Sequence, residues 1–237
     1  MKKLLAVIIA SASVTAVAES FQDFNNNLYL QYGYISPDNG STYTNKGAVS
    51  LPNTSDWGVG GTIQTKNNIW FNGDVLAGSA TKSVNGTSYS ASNYLITTRT
   101  GYAFSVFDGG SQGLQVIPYA LLGTGNVTVS GTNTNSTQAT VFNWGAGAKT
   151  EYRLGDALKA SLDLATFGSN GGKDLNDNGS TSTDTFMYSV SPEVQYDISK
   201  TFLVSVGYTY TNAFNSNGND LGNNGTSVVS AKVGYLF

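Results

Sequence analysis

Eight charged side chains carry most of the chemistry open to this sequence. Asp74, Arg99, Lys149, Glu151, Lys159, Asp163, Glu193 and Lys232 lie in runs where apolar and polar residues alternate, and each falls on the polar parity. Four are acids and four are bases. An ion-selective eyelet generally carries an excess of one sign, so the balance reads as an internal network of salt bridges and hydrogen bonds. Glu151, Asp163 and Glu193 could also meet as the carboxylate pair of a glycoside hydrolase, although each has a basic residue nearby to pair with. Histidine and cysteine are both absent. A general base titrating near neutrality and an activated thiolate are therefore missing, and with them the common Ser–His and Cys–His arrangements. The expectation is a chain that is not an enzyme, with no catalytic, metal or cofactor site.

Two weaker motifs complete the survey. Asp174-Leu175-Asn176-Asp177-Asn178-Gly179 matches the opening D-x-N-x-N-G of a calcium loop, whose oxygen ligands and turn glycine suit a hard cation. Its twelfth position is Thr185, where a bidentate Glu is needed, and Asp184 is one place off. Chance matches are common in so Asn- and Gly-rich a stretch, and no metal is assigned. Triplets such as Asn85-Gly86-Thr87 and Asn224-Gly225-Thr226 follow from the same composition. There is no P-loop, dinucleotide fingerprint or CxxC.

What positions these side chains begins with export. Lys2 and Lys3 precede an apolar run, Leu4 to Ala12, and Ala16-Val17-Ala18 is a small-x-small cleavage site. Residues 1–18 thus read as a signal peptide and 19–237 as one domain. Removing the leader takes basic residues from 12 to 10 against 15 acids, so the net charge moves from −3 to −5. With no basic cluster, the chain offers nucleic acid nothing to hold. Charged residues make up 11% of the sequence, against roughly 25% in typical soluble domains. A soluble sandwich so poor in charge would be short of solubility; a sheet with its outer face in lipid would not.

From Leu28 the dominant signal is period-two alternation, the mark of strands with two unlike faces. Ten segments are read, at 28–36, 55–65, 69–79, 94–104, 114–125, 141–152, 158–167, 185–197, 202–211 and 226–237. Their lengths suit tilted strands crossing a bilayer. The stretch Leu154, Leu158, Leu162, Ala165 also fits a short helix, but alternation at 158, 160, 162 and 164 favours a strand. Aromatic residues gather at the ends of the apolar strips. Tyr34, Trp57, Tyr94, Trp144 and Tyr210 fall near one rim, and Tyr152, Tyr196, Phe202, Tyr235 and Phe237 near the other, as two girdles at the lipid headgroups. Connections alternate between long (37–54, 80–93, 126–140, 168–184, 212–225) and short (66–68, 105–113, 153–157, 198–201). Pro118 and Pro192 fall inside strands, where a bulge is expected at each. The predicted architecture is an all-β, antiparallel up-and-down transmembrane barrel. It has ten strands, with eight as the runner-up, long extracellular loops and both termini in the periplasm.

Four stretches resemble the opacity-type and outer-membrane-protein-A-like barrels of Gram-negative bacteria. They are Thr98 to Phe104 (TRTGYAF), Ile117 to Gly125 (IPYALLGTG), Trp144 to Leu154 (WGAGAKTEYRL) and Ser230 to Phe237 (SAKVGYLF). The resemblance implies residence in the outer membrane, contact with its lipid and lipopolysaccharide, and insertion by the barrel-assembly machinery through the terminal Phe237. Many small members have eight strands, from which ten departs. Outer-membrane barrels known as proteases, phospholipases, lipid A deacylases and palmitoyltransferases rely on a histidine, which this chain lacks. Two functions then compete: a surface protein meeting an extracellular ligand through polar loops, and a narrow channel for small solutes.

Overall fold

A chain that alternates lipid-loving and polar residues satisfies both in a closed sheet, because closure leaves no strand edge to be hydrated inside the bilayer. The computed structural model describes residues 20–37, 42–44, 47–49, 53–84, 87–109, 111–131, 134–171, 184–199, 201–213 and 225–237. The leader expected over 1–18 and the motif at Asp174–Gly179 lie outside these residues.

A short helix, α1 (Phe21–Asn25), precedes the strands β1 (Asn27–Pro37), β2 (Thr42–Thr44), β3 (Gly47–Val49), β4 (Thr54–Gln64) and β5 (Ile69–Val84). Then come β6 (Thr87–Tyr102), β7 (Phe104–Gly109), β8 (Gln112–Gly131), β9 (Thr134–Leu154) and β10 (Leu158–Gly171), followed by β11 (Asp184–Ser199), β12 (Phe202–Ala213) and β13 (Thr226–Leu236). Ten of these form a closed antiparallel wall in the order β6-β5-β4-β1-β13-β12-β11-β10-β9-β8, which β6 completes by pairing with β8. The seam between the chain's ends runs from Asn27↔Leu236 to Pro37↔Thr226. Ten strands is the predicted count, and 158–171 is a strand rather than a helix.

The apolar parity faces outward. Leu30, Trp57, Val206 and Val233 are each more than 60% exposed, which only a lipid surround makes favourable for a wall this extensive. Aromatic pairs mark both ends of the wall. Tyr32–Trp57, Trp144–Phe186 and Tyr188–Tyr210 meet at 4.8, 6.0 and 6.3 Å between centroids near one rim, and Phe202–Tyr235 and Phe107–Tyr152 at 6.1 and 6.4 Å near the other. Among the described residues no helix is long and apolar enough to cross a membrane; the strands make the crossing.

Several boundaries depart from expectation. Of the stretches 80–93 and 126–140, read as loops, the described residues 80–84, 87–93, 126–131 and 134–140 are the upper parts of two hairpins. β5 and β6 pair as far as Val84↔Thr87, and β8 and β9 as far as Gly131↔Thr134. β6 and β8 also stay paired up to Tyr89↔Gly131, so the hairpins rise as one four-stranded sheet beyond the aromatic rim. Ser83, Ser88 and Ser90 are exposed and Thr128 and Ser130 half-buried. The Thr, Val and Tyr residues of these stretches still favour extended backbone. The stretch 105–113 likewise holds β7, which pairs with the foot of β8.

Neither proline makes a bulge. Pro118 stays in register opposite Ala148, at the place where the other neighbour of β8 changes from β6 to β7. Pro192 sits in a gap between Val190↔Tyr210 and Glu193↔Gly207, with the register unchanged across it. A missing N–H thus costs rungs of one ladder without shifting the strands. Register shifts occur instead at Ser105/Phe107, Val129/Gly131 and Asp197/Ser199. The tight turn from β9 to β10 uses Gly155 at φ +79°, a conformation that a side chain would strain.

Candidate functional site

The interior of a narrow barrel must be filled by side chains, because ten strands leave little more room than eight. Here an apolar layer and a polar one share the space. Trp70, Ile117, Tyr119, Leu121 and Ala165 form a buried inward cluster that the reading of the polar parity missed. The polar layer holds all eight predicted charges, gathered into separate groups rather than one chain.

In the first group Arg99 binds Asp74 at 2.9 Å. Tyr29 donates its hydroxyl to the other oxygen of Asp74, and Arg99 also donates to Asn72. Gly60 makes room: a Cβ there would stand 2.6 Å from Asp74 and 2.7 Å from the Tyr29 ring. In the second group Lys232 meets Glu193 at 2.5 Å and stands 4.8 Å above the Tyr29 ring, a cation–π arrangement. Asp163, in a third place, accepts a hydrogen bond from the Tyr119 hydroxyl at 2.5 Å.

The fourth group lies nearest the periplasmic end and is the most enclosed. Glu151 is fully buried between Lys149 at 3.0 Å and Lys159 at 3.3 Å. It also accepts hydrogen bonds from Gln115 at 2.6 Å and from Asn25 at 2.7 Å. With every approach taken, Glu151 is closed to a solute, whereas Asp163 and Glu193 line open space.

Asn25 belongs to α1, which sequence reading did not find. Ser20 starts the helix, donating its N–H to Asp23 at 3.2 Å in the reciprocal pattern of a capping box. Phe21 and Phe24, three apart and so on one face, are both buried. The helix lies inside the mouth of the barrel. Asn25 donates to Gln64 at 2.8 Å and accepts from Lys159 at 2.5 Å; Gln195 donates to the Phe24 carbonyl at 3.2 Å. Lys159 stands 5.8 Å from the Phe24 ring, and Arg153 the same distance from Phe21. Arg153 binds Asp108 at 2.5 Å, an ion pair hidden from sequence reading because both residues fell in presumed turns. The signals available were Ser20-x-x-Asp23 and the Phe21/Phe24 spacing.

Above α1 lies a cavity of about 310 Å³ whose lining includes Asn25 and Lys159 at its foot, Asp163 and Glu193 midway, and Thr211 and Val228 towards the other end. Among the described residues no cluster of three or more carboxylates stands close enough to hold a metal. The girdle residues Tyr34, Trp57, Tyr94, Trp144, Phe202, Tyr235 and Phe237 are exposed on the outer wall, and Tyr152, Tyr196 and Tyr210 are half-buried.

No protein-family model matches the chain, and no curated protein matches it. Its likeness is to solved structures. It is similar to the outer membrane protease OmpT of Escherichia coli, at 10% identity and TM-score 0.51, covering 90% of this chain and 96% of that one. It is also similar to the translocator domain of the autotransporter NalP from Neisseria meningitidis, at 12% identity and TM-score 0.51, covering 100% and 94%. Such identities speak for the fold alone. A closed ten-stranded barrel with an apolar outer wall is a bacterial outer-membrane protein.

The likeness also corrects one expectation. A barrel of this fold is a protease, so the conclusion that the chain is not an enzyme falls. Lacking histidine and cysteine removes only the routes that need those groups, and a fold settles neither an activity nor its absence.

Proposed function

We propose that the mature chain, 19–237, is a cell-surface barrel of the opacity-type and outer-membrane-protein-A-like kind that meets extracellular molecules through the sheet raised by β5, β6, β8 and β9. The observation that carries this reading is the sheet itself, in which paired backbone covers 80–84, 87–93, 126–131 and 134–140 beyond the aromatic rim. Paired strands hold their side chains in fixed places, as a free loop does not, so less ordering entropy opposes binding. The stretches 80–93 and 126–140 contain a single charged residue, Lys82, among Ser, Thr, Asn, Gln and Gly. Hydroxyls and amides of that kind recognise other hydroxyl-rich surfaces, such as cell-surface glycans or the sugars of lipopolysaccharide, by hydrogen bonding rather than ion pairing. Attachment should therefore change little with salt.

The test replaces 81–90 and 129–137 with Asn-Gly turns, which close short hairpins. The shortened barrel should still show heat-modifiable migration and should lose attachment to host cells and to lipopolysaccharide-coated surfaces. Undiminished attachment, or attachment abolished by moderate salt, would count against the reading.

A further inference from the structure

We infer that the lumen is a passage for small hydrated ions, shut at its periplasmic end by α1. This goes beyond the surface role and rests on a different part of the molecule. Three observations combine. The cavity of about 310 Å³ reaches down to Asn25, so the helix itself is the floor of the open space. At about 30 Å³ for a water in the liquid, that volume has room for several.

Second, at the foot of the cavity the side chains of the helix pack among buried side chains of the wall and take up the space between them. Phe24 and Asn25 are almost wholly buried, and Gln64, Gln115, Gln195 and Ser205 are buried on the strands around them. Several wall residues at this level are polar and bind the helix as well as one another: Gln64, Glu151 and Lys159 each contact Asn25. Without α1 they would line a wet channel with satisfied groups, because water can replace each amide contact.

Third, the cavity lining carries both signs. Arg99, Lys149, Lys159 and Lys232 stand with Asp74, Asp163 and Glu193, so a path lined this way repels neither cations nor anions outright. The plug joins the wall through one covalent link, at Asn26, whose N–H closes on Gln22 at 2.9 Å. Its other contacts given above are noncovalent: hydrogen bonds, the burial of two phenylalanine rings and the approach of Arg153 and Lys159 to those rings.

Planar-bilayer recording in potassium chloride tests this with the refolded mature chain and with a chain that starts at Asn26. The mature chain should be silent or open rarely, and the shortened chain should give reproducible current steps. Heat-modifiable migration establishes that both are folded. Should the shortened chain fail to fold, the full-length double variant Phe24→Ala, Asn25→Ala takes its place, with current expected again. An independent readout uses the absence of native cysteine. Gln64→Cys supplies one thiol at a buried position that contacts Asn25 of the plug and lies outside the cavity lining. A charged thiol reagent should spare it in the mature chain and label it once α1 is removed. A folded, silent variant, labelling unaffected by the plug, or equal current with and without α1 would each overturn the inference. None of these outcomes bears on attachment through the raised sheet, so the two readings fail separately.

Discussion

Replacing Glu151 by Gln tests how the enclosed polar layer is held. The carboxylate lies 3.0 Å from Lys149 and 3.3 Å from Lys159, and both lysines are largely buried. At an effective dielectric of about 20, each contact represents a gross attraction of about 5 kcal/mol. Desolvation of three charges offsets most of that. Removing one partner of a buried pair nevertheless costs about 3–5 kcal/mol, because the remaining charges lose their compensation. Glutamine can still accept from Asn25 and Gln115, which approach at 2.7 and 2.6 Å, so the substitution isolates charge from shape.

The assay is urea unfolding in lipid vesicles, followed by the fluorescence of Trp70, which lies 5.9 Å from the Lys149 ammonium. At a slope of about 2 kcal/mol per molar, the midpoint should fall by about 1.5–2.5 M. Lys159→Met alone should cost less, since Glu151 keeps Lys149. The double variant should recover part of the loss, with a coupling of about 0.5–3 kcal/mol. A midpoint shift for Glu151→Gln below about 0.5 M would refute the reasoning, since the slope makes that only about 1 kcal/mol. The carboxylate would then be hydrated rather than paired.

Two further outcomes are expected. Val206 is 62% exposed near the middle of β12, opposite Ala231 of β13, so Val206→Arg should destabilise the barrel in vesicles by about 2–4 kcal/mol, the range for arginine at the midplane of such a wall; a loss within about 0.5 kcal/mol would mean that this face is not in lipid. Deleting Phe237, which is exposed on the outer wall beyond the end of β13, should reduce insertion in living cells while leaving refolding into detergent at its normal yield; an equal loss in both settings would make its role structural rather than one of recognition.

What could be read from the sequence was whatever the two faces of a strand had to distinguish. Leu28, Leu30, Tyr32 and Tyr34 against their neighbours, or Val229, Ala231 and Val233 against Lys232, announce a wall between lipid and lumen, and the strand count and sidedness follow. Beyond the aromatic rim that contrast disappears. Thr134 to Gln138 is polar at every position, so paired strands there look like loop. The inward position of Glu151 and Lys159 was legible from parity, but their shared partner Asn25 lies 126 and 134 residues away. No local pattern encodes such a contact. Trp70 and Ile117 were hidden for the opposite reason: an apolar residue facing a filled lumen is indistinguishable, in sequence, from one facing lipid.

The place of α1 also constrains how the molecule can come together. The helix immediately precedes β1, and β1 closes the wall against β13. Its partners sit on the nearby β4 but also on β9, β10 and β11, as far as 171 residues along the chain at Gln195. Contacts that distant carry the largest loop-closure cost and form late. The residues of α1 are thus among the last to reach their place, and they must be inside the ring, or able to re-enter its mouth, when the seam zips shut. Assembly is therefore circular rather than vectorial, with the terminal strand and the leading helix settling in one concluding step.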